Sequence, residues 1–261
     1  MYREPNSNEY KDLQERILYE DNHLIVFNKK SGEITQGDKT GDEPLSETLK
    51  AFIAQRDHKL GKVFLGVPHR LDRPVSGVVI FAKTSKALSR LNTMLRNGEL
   101  HKTYWALVCC KPPKEEDNLR HWLTKNEKNN KTYVKDISAR KSGNTLSKNK
   151  VTKTAKDNVT GVVPRGYKEA HLKYKLIKTT ERYYLLEIEL YTGRHHQIRA
   201  QLAHIGCPIK GDLKYGAPRS NKDGSISLHA RNISFVHPVS KEDISTTAPL
   251  PFGFAFPTIT L

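Results

Sequence analysis

HRLDRPVSGVVIFAKT, residues 69 to 84, sets one carboxylate, Asp72, between Arg70 and Arg73 and then runs into an apolar segment. From Val75 to Thr84 the β-branched and aromatic content is that of a buried strand. Asp72 is open to two readings here: half of a surface salt bridge, or a carboxylate that flanking cations hold ionised for chemistry. Next comes SKALSRLNTMLRNG, a helix with Ser85 as N-cap, a stripe of Leu88, Leu91 and Leu95, and Gly98 as its stop. KTYWALVCC, residues 102 to 110, returns as a strand.

Upstream, ILYEDNHLIVFNKK reads as a hairpin around a polar turn. DEPLSETLKAFIAQ is helical, with acids and Pro44 at its start and Leu45, Leu49, Phe52 and Ile53 on one face. Downstream, AHLKYKLIKTTERYYLLEIELYTG forms a hairpin-like pair, and RHHQIRAQLAHIG a helix from Arg194 that ends at Gly206. ISLHARNISFVHP is a final strand before a Pro-rich tail. Bunched strands with few helices give an α+β class: a mixed, mostly antiparallel central sheet flanked by helices.

Lys and Arg number 44 against 28 Asp and Glu, a net charge of +16, which points to a polyanion such as nucleic acid. The plainer reading is a generally basic soluble protein, because net charge reports no geometry. No stretch approaches a membrane span, and MYREPNSNEYKDL lacks the apolar run of a signal peptide, so a cytoplasmic protein is expected. Cys109, Cys110 and Cys207 read as reduced thiols. Residues 1–16 form an N-terminal extension to a single domain over 17–261, interrupted by a basic loop insertion at about 111–168. Between Lys125 and Lys156 ten basic residues face two acids. That stretch is either a solvated loop or a mobile arm that orders on a nucleic-acid backbone.

Arg194 follows Gly193 at a helix start, where the dipole already presents positive charge. A carboxylate or phosphate would complete such a site, and Asp72 is the candidate. The paired His195 and His196 point about 100 degrees apart on a helix and no HExxH accompanies them, so no metal site is expected. Walker and GxGxxG loops are missing as well, leaving nucleotide cofactors unsupported.

Four segments together resemble a known family. HRLDRPVSGVVIFAKT is similar to the HRLD-containing catalytic motif of the RluA-type pseudouridine synthases, and HKTYWALV to their Lys-x-Tyr strand. TGRHHQIRAQLAHIGCPIKGDLKYG resembles their TGRxHQIR…HxxxPxxGDxxYG signature, and LHARNISFVHP their last motif. The matches come in the family's order and span most of residues 17–240. Val75 and His195 stand where the family usually has Thr, NKKSGE is a loose form of its Lys-Pro-x-Gly loop, and the basic insertion is atypical.

The resemblance implies the pseudouridine synthase catalytic fold, without the N-terminal S4 module that some members carry. It implies isomerisation of uridine in structured RNA, ribosomal or transfer, by a monomer. The N1–C1′ bond is exchanged for C5–C1′ with no net transfer of electrons or groups, so no metal or other cofactor is needed. Asp72 would be the nucleophile, at the base or at C1′. Tyr104, a core residue when read from its strand alone, would stack on the flipped base and help remove the C5 proton. Arg194 would pair with Asp72, and Arg70 would fill the gap left by the base. His69, Arg73, Lys102 and Arg199 are further RNA-binding candidates. Two rivals are a non-catalytic RNA-binding protein, which has no use for Asp72, and a metal-dependent nuclease, which needs an acidic cluster.

Overall fold

Leu24–Phe27 and Val78–Ala82 are apolar on both of the faces that a strand presents in alternation, as suits strands covered on both sides. The computed structural model describes residues 3–37, 41–137, 163–251 and 254. Its elements run α1 (Ser7–Glu15), β1 (Ile17–Glu20), β2 (Leu24–Lys29), α2 (Leu45–Arg56), β3 (Ser76–Ala82), α3 (Ser85–Asn97) and β4 (His101–Val108). Then follow β5 (Glu116–Asn126), β6 (Lys131–Asp136), β7 (Lys168–Thr179), β8 (Tyr184–Leu190), α4 (Gln197–His204), β9 (Leu228–Val236) and β10 (Asp243–Thr247). Ile25, Phe27, Val79 and Phe81 pack under α2, while Leu24, Val26, Val78 and Ile80 pack under α3. Burial on both faces explains why these two strands lack polar alternation.

All ten strands join one sheet in the order β1-β2-β3-β9-β4-β8-β7-β5-β6, with β10 on β9. Every pairing is antiparallel except β3 with β9. This is the mostly antiparallel sheet flanked by helices that the sequence implies. The parallel seam is short, Ser76 opposite His229 and Gly77 opposite Ala230. Gly77 has φ +112, and a Cβ there would lie 2.2 Å from the Ala230 carbonyl oxygen, so only glycine lets the strands meet. Ser76 Oγ and His229 Nδ1, 2.9 Å apart, close the seam from the side chains.

Several expectations are corrected. The N-terminal extension contains α1, where Asn6 and Glu9 form a capping box and Leu13 is buried against the α2 side of the sheet. Thr84, not Ser85, caps α3. The tail contributes β10. The expected loop insertion at 111–168 holds β5, β6 and the start of β7, because β5 buries Leu119, Trp122 and Leu123 while pairing with β7. The basic-arm reading falls largely on residues 138–162, outside the described residues. Among the described residues no helix is long and apolar enough to cross a membrane.

The helix expected from Arg194 begins three residues later, at Gln197. His196 takes a left-handed conformation, φ 48, which breaks the helical run. Gln197 Oε1 accepts the Arg194 N–H and the Thr192 hydroxyl, fixing 192–196 as a turn ahead of the helix.

Candidate active site

Asp72 sits in the loop that enters β3 at the seam of the sheet. Lys29, fully buried on β2, donates its ammonium to the carbonyls of Lys30, Arg73 and Val75 at 2.9, 3.2 and 2.6 Å. Leu71 is buried, and its N–H donates to Thr35 Oγ1. The backbone on both sides of Asp72 is therefore tied down, while its side chain keeps 26% exposure toward a cleft of about 950 Å³. Arg70, Lys102, Tyr104, Arg194 and Arg199 also line that cleft. One carboxylate among these cations suits a polyanion far better than a metal ion.

The arginine that reaches Asp72 is Arg199, in the first turn of α4, and not Arg194. Arg199 Nη1 donates to Asp72 Oδ2 at 3.1 Å, while Nε and Nη2 fork onto Asp212 at 2.7 and 2.8 Å. Burial works against the Arg199 charge, but Asp212 and then Asp72 more than offset it, and its pKa is raised. The guanidinium also lies over the Tyr215 ring, 5.1 Å from its centre. A cation at a helix N-terminus is unfavourable alone, and two carboxylates complete this one.

Arg194, ahead of the helix, is exposed and turns its Nε to the Glu169 carbonyl at 2.9 Å, which keeps it on the rim of the cleft.

A chain of hydrogen bonds supports the same carboxylate from the other side. Thr132 N–H on β6 donates to Tyr215 Oη at 2.8 Å, so the phenol proton is left for His196 Nδ1, 2.9 Å away. The proton of His196 then sits on Nε2, which faces Asp72 Oδ2 at 3.6 Å, a polar contact longer than a hydrogen bond. Burial, then Arg199 and His195, push His196 down to about 2, so the ring stays neutral. His195 stacks on it with centres 3.7 Å apart.

Tyr104 on β4 is buried at the cleft floor, and burial, then the Asp72 charge, raise its phenol pKa well above the usual value. It therefore holds its proton at neutral pH. Lys102 lines the same wall with its ammonium pKa lowered by burial. Arg70 is exposed on the cleft wall. His69 and Arg73 have other attachments. His69 Nε2 accepts the Ile80 N–H at 3.0 Å, and burial and Lys102 push its pKa to about 3, so it offers phosphate no charge. Arg73 turns outward to Asp42 at 2.6 Å. The structure thus gathers His69, Arg70, Asp72, Lys102, Tyr104, Arg194 and Arg199 around one cleft, and leaves Arg73 outside its lining.

A family model described as RNA pseudouridylate synthase matches residues 23–204, a span that includes Asp72, Tyr104 and Arg199. The chain belongs to that family. It is an RNA pseudouridine synthase of the RluA type, an isomerase. It is 30% identical over 245 residues to ribosomal large subunit pseudouridine synthase C of Vibrio cholerae, covering 92% of this chain and 67% of that one. It is 33% identical over 243 residues to the uncharacterized RNA pseudouridine synthase YhcT of Bacillus subtilis, covering 93% and 70%. tRNA pseudouridine synthase C of Vibrio vulnificus is 30% identical over 238 residues, 87% of each chain. The solved structure of human RNA pseudouridylate synthase domain containing 4 superposes with a TM-score of 0.73 at 23% identity, over 94% of this chain and 92% of that one, and shares the fold.

In this synthase Asp212, His196 and Tyr215 are site residues that sequence reasoning missed. A signal was available: all three stand at fixed positions of the TGRxHQIR…HxxxPxxGDxxYG signature, and Arg199, 13 residues before Asp212 in the same motif, is a buried arginine that needs a carboxylate. The contact that His196 and Tyr215 make depends on a left-handed residue ahead of α4, which the motif does not show.

Proposed function

We propose that this chain isomerises uridine to pseudouridine in ribosomal or transfer RNA, with Asp72 as nucleophile and the target base turned out of its helix into the cleft. The observation that carries this reading is the Asp212–Arg199–Asp72 array beside buried Tyr104: a pinned carboxylate facing a cleft that an aromatic ring floors. Two relatives named for ribosomal and transfer RNA support the substrate class. Asp72 attacks either the base or C1′, the N1–C1′ bond breaks, the base turns, C5 bonds to C1′, and the bond to Asp72 breaks so that the carboxylate is returned. The C5 proton is lost and N1 gains one, so atoms and electrons balance. Arg70 occupies the space left by the base, and Lys102 and Arg194 meet phosphates.

RNA carrying tritium at uridine C5 tests the reading. Wild type releases tritium into water, whereas Asp72→Asn releases none and keeps RNA affinity within about threefold, since phosphate contacts supply most of the binding. Turnover by Asp72→Asn, or affinity that falls in step with activity, overturns the assigned role.

A further inference from the structure

β5, β6 and α4 converge on a second polar group, formed by residues that do not line the catalytic cleft. His204 Nε2 lies 2.8 Å and His121 Nε2 3.6 Å from one oxygen of Asp136, Oδ1. The two imidazoles meet edge to face, with centres 5.0 Å apart and planes at 77°. One ligating atom from each residue falls within 4.8 Å of the other two. We propose that this is a zinc site: His121 and His204 bind through Nε2, Asp136 through a carboxylate oxygen, and solvent completes the shell.

The spacing fits. Tetrahedral zinc with bonds of about 2.0–2.1 Å sets its ligand atoms roughly 3.3 Å apart, and the observed 2.8 and 3.6 Å straddle that figure. Two imidazoles with one carboxylate suit zinc, whereas magnesium and calcium want oxygen alone. Zinc on His121 Nε2 also sets what its other ring nitrogen requires. Its ring is buried and its Nδ1 is 2.9 Å from Gln201 Nε2, which also donates to the Leu119 carbonyl at 3.1 Å. Gln201 Oε1 is buried without a hydrogen-bond partner. A metal on Nε2 leaves the imidazole proton on Nδ1, which then needs an acceptor. Turning the Gln201 amide over offers Oε1 to that proton, gives up the hydrogen bond to Leu119 and moves Nε2 to the position where Oε1 now lacks a partner.

The ligands come from three elements, so the ion staples the β5–β6 hairpin to α4. Both attachments lead to the catalytic carboxylate: α4 carries Arg199, and β6 carries Thr132, whose N–H bonds to Tyr215. The ion is structural and takes no part in the isomerisation.

The test uses the full chain, untagged and stripped with a chelator, titrated with zinc sulfate by calorimetry at pH 7.5. Wild type is expected to bind one equivalent with a Kd of about 1 μM or tighter. His204→Ala and Asp136→Asn, both at solvent-accessible side chains, are expected to weaken binding at least about tenfold. Zinc should raise the Tm of wild type and leave those of the variants unmoved, and should slow amide exchange in β6. No saturable binding, or equal affinity in wild type and both variants, overturns the proposal. These readouts are independent of tritium release, so the zinc site and the proposed function fail separately.

Discussion

Arg199 divides three hydrogen bonds between two carboxylates, with Nε and Nη2 on Asp212 and Nη1 on Asp72. The fork is rigid, so fixing the guanidinium on buried Asp212 also fixes where Nη1 meets Asp72. Lysine keeps the charge but has no second arm. Arg199→Lys is therefore expected to lower kcat about 100-fold, the scale of a small misplacement at a reacting group, with RNA affinity nearly unchanged. Arg194→Ala, at an exposed side chain bonded to a backbone carbonyl, should raise KM and spare kcat. Single-turnover and steady-state kinetics on one RNA separate the two, and equal kcat losses would contradict the division of labour. Residue type in its motif made Asp72 legible from sequence. The choice between Arg194 and Arg199 was not, because it turns on His196 adopting φ 48, and a backbone angle leaves no mark in composition or spacing.

β3 and β9 are the elements that bring the two halves of the sheet together, and their ladder spans two residue pairs, Ser76 with His229 and Gly77 with Ala230. The seam depends on Gly77, whose missing Cβ leaves room for the Ala230 backbone. Gly77→Ala puts a methyl group into that backbone at positive φ, so one of the strands must move. Destabilisation of more than about 3 kcal/mol is expected in urea unfolding, with loss of activity even where the fold survives. A change under about 1 kcal/mol would show that the seam yields cheaply. The long apolar runs made β2, β3 and β4 readable, as the helix stripes did α2 and α3. β5 and β6 were not, because a charged hairpin that buries Leu119, Trp122 and Leu123 looks like a loop until its partner β7 is known.

At the scale of the whole molecule, buried Lys29 couples stability to pH. Burial lowers its pKa from 10.5 to about 8, against the pull of Glu33 and Asp72. Between those two values the unfolded chain holds the proton and the folded chain does not, so this group's contribution to stability rises with pH across that window. Below about 8 the full penalty stands, on the order of 3 kcal/mol. Lys29→Met cannot titrate. The unfolding free energy of wild type minus that of Lys29→Met should therefore climb from pH 8 toward 10.5, and a flat difference would mean that the ammonium is not penalised by the fold. The net charge of +16 acts over longer distances. Residues 138–162 carry six Lys or Arg and one Asp, so deleting them lowers the net charge to +11. Each phosphate that the protein no longer neutralises flattens the slope of log affinity against log salt by about 0.7 on single strands. Deletion is expected to weaken RNA binding at low salt and to reduce that slope by at least about 2, with tritium release at saturating RNA retained. An unchanged slope would assign RNA binding to the cleft and its rim, and these 25 residues to a solvated loop.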